Sequence, residues 1–385
     1  MSMLIFFPWL KMQKPVSIGD FELVPYQRKS MPAGSGTPLQ NILDAITESY
    51  ISHSERPIHQ ATLVQVGQED IIRDLNDQER DAVFILSEIL AICGLSCREF
   101  FCHFKYWNRD NFRIIVQSFV IPYEGPAIVT RRRDGSNTSF QPKENFRVQK
   151  PQHVPLYSQV QIDESLLKAL FQAMESEIWG RFWEAIVNFN LANTDDIEMA
   201  EEMEAVFLVG AFERLLDCNR GKEDDLADRF SCTLTPTNDL IPSACTRLSD
   251  FDVTNRFKRS DTIRDMWIRD FFRLRGNLAH GKLDSRYSSS WSLRDHLLLG
   301  SFVFPLLLKS VLGKEGLYLP TEEDKFKIDL FEPLACEEHF VPLVNSSDSE
   351  THPWNQVLER IREESNHRRL TAFIERLWSD GEEKG

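Results

Sequence analysis

The sequence predicts a multidomain α+β fold, with an N-terminal mixed α/β domain followed by an all-α antiparallel helical bundle. Three observations lead there. Up to about residue 155, short apolar runs that read as strands are broken by Pro and Gly. Beyond that point apolar residues recur every three or four positions, the period of amphipathic helices. Between the two regimes lies QPKENFRVQKPQHVP, polar and carrying three prolines, which reads as a linker. The expected units are 1–155, 156–318 and an acidic segment 319–385 that ends in a helix. With 385 residues the chain is long enough for two or more domains, each with its own core.

Taken in order, SIGDFELVPY reads as a strand pair turning at Gly19-Asp20. Asn76 and Glu79 form a capping box ahead of RDAVFILSEILAICG, a helix expected to stop at Gly94. NFRIIVQSFVIPY and PAIVTRRRDGSNTSF look like strands, the second turning at Asp134-Gly135. Its basic tip, TRRRDG, could touch RNA phosphate, though an exposed basic turn is the commoner reading. DESLLKALFQAMESEIWGRFWEAIVNFNLAN then carries the spacing of one or two amphipathic helices, and 195–217 reads as a further helix, acidic at its start. After a Pro/Ser/Thr-rich excursion at 231–247, Ser260 or Asp261 is expected to cap a helix with Ile263, Met266, Trp267, Phe271, Leu274 and Leu278 on one face. The apolar run 297–308 is too short to span a bilayer and reads as buried.

Composition narrows the function classes. A formal charge of −15 argues against indiscriminate nucleic-acid coating. Charge is local, however: residues 251–320 hold twelve Lys or Arg against seven Asp or Glu, a net of +5. The seven scattered cysteines read as free thiols of a reducing, cytoplasmic compartment. MSMLIFFPWL lacks the basic start and small-residue cleavage site of a signal peptide. Cys93, Cys97, Cys102 and His103 cluster in sequence without the C-x2-C pairs of a zinc site, so no metal is expected. No phosphate-binding glycine loop, zinc-protease helix or nucleophile elbow is present, and no cofactor is expected.

One motif remains, RGNLAHG at 275–281. An Arg five positions before a His also occurs at Arg98/His103 and Arg362/His367, so spacing alone decides nothing. Only Arg275 and His280 combine an amphipathic helix upstream, flanking Gly276 and Gly281, and a basic neighbourhood. A histidine can exchange a proton with a ribose hydroxyl near neutral pH. A guanidinium can grip a phosphate through two hydrogen bonds and stabilise the charge that builds during transfer. Five residues on an ideal helix turn through about 500°, leaving the two side chains about 140° apart. Either the helix breaks near Gly276 or a second copy of the chain completes the site.

RGNLAHG, an R-x4-H element before a final apolar helix, resembles the motif of HEPN-domain ribonucleases. AVFLVGAFERLLD, at 205–217, is similar to the helix that precedes it in the Apea-like branch. The resemblance covers roughly residues 160–315. It implies a HEPN-like bundle and a metal-independent endoribonuclease working as a homodimer, with Arg275 and His280 as catalytic residues. Asn277, Lys282 and Glu213 are the expected supporting residues, and Arg269 and Arg273 the expected RNA contacts. The chain departs from the family pattern at Gly276, where a polar residue is usual, with Asn277 one place later. The setting the resemblance implies is a toxin or phage-defence system, with a neutralising or trigger protein as a partner and no membrane. A second reading stays open: a non-catalytic HEPN module that binds RNA or protein, as a scaffold or antitoxin-like partner.

Overall fold

A computed structural model describes residues 2–28, 38–67, 71–102, 104–119, 126–131, 134, 136–140, 146–155, 160–219, 221–237, 239–280, 289–337, 352 and 354–363. The fold is α+β with a helical C-terminal region. Two compact units divide the chain at Phe207/Leu208, with the short stretch 100–102 belonging to the second.

The first unit contains β1 (Ser2–Phe7), β2 (Val16–Ile18), β3 (Phe21–Gln27), α1 (Pro38–Glu48), β4 (Tyr50–Ile51), β5 (Gln60–Val66), β6 (Ile72–Arg73), α2 (Asp77–Leu95), β7 (Ile115–Phe119), β8 (Pro126–Arg131), β9 (Asn137–Phe140), β10 (Val148–Gln149), α3 (Glu164–Ala173) and α4 (Trp179–Leu191). Its main sheet runs β2-β3-β5-β1-β7-β8-β9, with β6 also paired to β1, and every pairing in it is antiparallel. The apolar N-terminal run is β1, between β5 and β7, with Phe6 opposite Leu63 and Ile5 opposite Val116. A run buried on both faces is what such an interior strand requires. Gly19 turns the β2–β3 hairpin at φ +54°, a conformation glycine adopts without strain. Leu43 and Ile46 of α1 pack on Leu4, Phe6 and Leu63 to form the core of this unit.

The capping box is present: Asn76 Oδ1 accepts from the Glu79 amide at 2.9 Å while Glu79 holds the Asn76 amide at 2.9 Å. Gly94 does not stop the helix, which runs on to Leu95. Its role is space, because a Cβ there would sit 2.0 Å from Cζ of Phe112. α3 and α4 pack against α2, not within the C-terminal bundle where the periodicity had assigned them. Asn190, fully buried on α4, donates to the Glu88 carbonyl at 2.9 Å and its carboxylate at 2.7 Å. The expected boundary at 155 therefore moves to 207/208, because these polar contacts tie residues 160–193 to the first unit.

The second unit contains the C-terminal half of α5 (Glu201–Leu215), α6 (Glu223–Thr233), α7 (Ile263–Ala279), α8 (Leu293–Lys314), α9 (Glu322–Cys336) and α10 (354–363). Its core is aromatic. Phe212 of α5 meets Phe304 of α8 edge-on at 5.4 Å, and Trp267 of α7 meets Phe331 of α9 at 5.1 Å; such pairs add to the area they bury. α8 has the length and apolarity of a membrane-crossing helix, and 72% of its most apolar window is buried in this unit. α6 and α9 stand where the sequence suggested no helix. α9 is no appended acidic tail: Leu330, Phe331 and Leu334 are fully or almost fully buried.

Candidate functional site

α7 begins at Thr262, whose side chain accepts from the Asp265 amide at 3.3 Å, so the cap is neither Ser260 nor Asp261. Ile263, Met266, Trp267 and Phe271 are fully buried, while Leu274 and Leu278 are half-buried as the helix approaches the surface. The helix continues unbroken through Gly276 to Ala279. His280 forms its C-terminal cap, donating its amide to the Gly276 carbonyl at 3.2 Å, and is exposed. A Cβ at Gly276 would meet nothing within 4 Å, so the helix offers open space beside the motif.

Arg275 is held from two sides. Its Nη2 donates to Glu213 Oε1 of α5 at 2.7 Å, and its guanidinium lies 4.7 Å over the ring of Phe272. Both members of the ion pair are mostly buried, at 21% and 15% side-chain exposure, which makes the contact a fixed geometry and not a mobile surface pair. Its Nε is buried and has no hydrogen-bond partner among the described residues. Glu213 is thus brought to Arg275 across 62 positions of sequence. Asn277 is half-buried on the same helix. Lys282 lies outside the described residues, as do His103, His367, Gly281 and the tip of TRRRDG at 132–133 and 135.

The expected RNA contacts, Arg269 and Arg273, are committed elsewhere. Arg269 is 5% exposed and pairs with Asp265 at 3.1 Å and with Asp224. Arg273 makes a two-pronged contact with Glu223, at 2.9 and 2.6 Å. Glu223 and Asp224 begin α6, where negative charge also suits the helix dipole. The hydrogen bond from Arg269 holds the Asp224 carboxyl below the usual carboxylate range. Arg264 is similarly bound to Asp239 at 2.6 Å and buried Glu332 at 2.7 Å. Among the described residues, three arginines of the basic island, Arg264, Arg269 and Arg273, are thus paired with Glu223 and Asp224 of α6, Glu332 of α9, Asp239 and Asp265. A cleft of about 690 Å³ opens beside them, lined by Lys222, Glu223, Asp224, Lys258, Arg259 and Ser260 among others. Neither Arg275 nor His280 lines it.

Sequence reasoning missed a buried polar cluster one turn earlier on α7. Asp270, wholly buried, accepts from Arg256, from Ser289 Oγ at 2.6 Å, from the amides of Ser290 and Trp291 at 3.0 and 3.3 Å, and from His296 Nε2 at 3.2 Å. Burial pushes the Asp270 carboxyl up, but the bonds from His296, Arg256 and Ser289 outweigh it and bring it down to about 2. His296 stacks on Phe271 at 4.6 Å, and its own burial pushes it below its ordinary value despite Asp270. Ser289 and Asp270 both address the same imidazole nitrogen, so the three do not form a nucleophilic triad, in which they would bond opposite nitrogens. The cluster instead pins the chain where it rejoins the described fold at Ser289–Trp291. No local pattern marked it, because its members lie up to 40 positions apart.

Cys93 is fully buried in α2, as expected of a core thiol. Among the described residues, no group of three or more His, Cys, Asp or Glu side chains is placed to hold a metal ion. Comparison with known proteins finds no family model, no curated sequence and no solved structure that matches this chain.

Proposed function

We propose that the chain is an endoribonuclease of the HEPN type, working without a metal and active as a homodimer. The observation that carries the reading is the end of α7. There a fixed guanidinium, Arg275, with a buried Nε that has no partner among the described residues, stands five positions before an exposed histidine on the helix cap. Arg275 would bind the scissile phosphate and stabilise charge on its oxygens. His280 would accept the ribose 2′-hydroxyl proton as that oxygen attacks phosphorus, leaving a 2′,3′-cyclic phosphate and a 5′-hydroxyl. Because α7 runs unbroken through Gly276 to Ala279, the helix does not fold Arg275 and His280 onto one face, and ideal geometry puts the two about 140° apart. The reading therefore pairs each motif with that of a second copy across an isologous interface. A toxin or phage-defence role restrained or triggered by a protein partner follows from the resemblance.

A second reading is favoured by the Arg275–Glu213 ion pair: Arg275 is then a structural cation like its neighbours, and the helical unit is a binding module. One experiment separates the two. Purified protein is incubated with mixed RNA in EDTA, beside Arg275→Ala and His280→Ala. Cleavage that both variants abolish, with DNA spared and monomer–dimer state checked by light scattering, supports the nuclease. Wild-type cleavage by His280→Ala overturns it.

A further inference from the structure

Cys245 and Cys336 lie in two segments that are strapped together. Cys245 closes the short turn Pro242–Ala244, and Cys336 ends α9. Thr246 Oγ1 reaches the Cys336 carbonyl at 3.5 Å, and Arg247 Nε donates to the Glu337 carbonyl at 3.0 Å. Nη1 of Arg247 also holds Asp295, in the capping box of α8, at 2.6 Å. This register brings the two thiols, both reduced, into hydrogen-bond contact with each other. That hydrogen bond, with the Arg247 and Leu248 amides and the Arg247 charge, holds the Cys245 thiol below its ordinary value against the opposing push of burial. The turn runs along the surface, with Ile241 70% exposed, whereas the Cys245 side chain is buried just beneath it at 2% and Cys336 is half-buried.

We propose that Cys245 and Cys336 are a thiol modification site that closes reversibly to a disulfide when the protein meets hydrogen peroxide. The Cys245 thiolate attacks one peroxide oxygen; the S–O bond forms, the O–O bond breaks and hydroxide leaves, giving a sulfenic acid. The Cys336 sulfur then attacks the Cys245 sulfur. The S–S bond forms, the S–O bond breaks, and the hydroxyl departs as water with the Cys336 proton. Two sulfurs are oxidised by one electron each and one peroxide is reduced. A small dithiol reverses the bond by exchange.

The link would close a loop of about 90 residues, and long loops lose the most unfolded-state entropy on cross-linking. It would also tie the end of α9, which already holds the chain after the motif, more firmly to the Pro242–Cys245 turn. The Ala335 carbonyl already accepts from Trp291 Nε1 at 2.8 Å, and the Trp291 amide bonds Asp270. The proposal stands whether or not the chain cleaves RNA.

The test uses the full chain, treated with hydrogen peroxide, blocked with N-ethylmaleimide and digested without reduction. Mass spectrometry should find the Cys245 and Cys336 peptides joined, two hydrogens lighter than the separate pair and separated again by dithiothreitol. The alkylatable thiols should fall from seven to five. Oxidation should raise the Tm of the wild type and leave that of Cys336→Ala unchanged. A different linked pair, or full alkylation of both cysteines after peroxide treatment that oxidises the urea-unfolded chain, overturns the proposal. So does an equal rise in Tm for Cys336→Ala, since its readout does not require Cys245 to be replaced.

Discussion

Replacing Asp270 with alanine should be the most damaging single change in the helical unit. The carboxylate is wholly buried and accepts from five groups, two of them the guanidinium of Arg256 and the imidazole of His296. Removing one partner of a buried ion pair strands the other, at about 3–5 kcal/mol, against a total stability of about 5–15 kcal/mol for an ordinary domain. A separate route gives a compatible figure. Asp270 sits at about 2 in the fold against an unfolded value of 3.8, and a shift of about two units corresponds to roughly 2–3 kcal/mol of charge-linked stability. A carboxylate with a depressed value contributes fully above the unfolded value, so this part is present above about pH 4 and lost as pH falls toward 2. Asp270→Asn keeps the shape and loses the charge, so it should cost about 2–3 kcal/mol and show none of that acid loss. Urea unfolding followed by tryptophan fluorescence reads the cluster directly, since Trp267 and Trp291 lie 5.8 and 6.1 Å from His296. A loss below about 1 kcal/mol for Asp270→Ala would refute the reasoning, because it would mean Arg256 and His296 find water or other partners at little cost.

Gly276→Ala should raise stability by about 0.5–1 kcal/mol, since a methyl group there meets nothing and glycine is a poor helix residue. If a second copy or RNA approaches that face, the same variant should lose RNA cleavage by tenfold or more; unchanged cleavage would show that nothing comes close there. His296 titrates below its unfolded value, so its contribution is complete above about pH 6.5 and lost as pH falls from there toward its folded value. Urea midpoints should therefore drop between pH 7 and 5 in the wild type and change less in His296→Gln; equal slopes would remove His296 as the cause. A fragment starting at residue 156 should be poorly soluble or partly unfolded by circular dichroism, because it strands buried Asn190 without Glu88. A cooperative, soluble fragment would return the domain boundary to 155.

Much of the architecture is legible in the sequence because it is decided by residues close together in the chain. The hairpin at Gly19 follows from one glycine and its alternating flanks. The start of α2 follows from a side chain and an amide three positions apart, and the buried face of α7 from spacing on a single helix. Arg275 and His280 could be singled out in the same way, since they share one helix end. What the sequence could not decide was which charges meet. Residues 251–320 carry a net positive charge as a string, and the same arginines are spent on Glu223, Asp224, Asp239 and Glu332 once α6 and α9 pack against α7. The domain boundary was hidden for the same reason. Helical periodicity shows that 164–191 has an apolar face but not that the face, and Asn190 with it, belongs on α2. Glu213 was named as a supporting residue, but its partner was fixed only when α5 brought it to 2.7 Å from Arg275. Caps, turns and amphipathic faces are set by separations of two to four residues, whereas charge neutralisation and packing partners are set by contacts across 25 to 100 positions, which only the folded chain brings together.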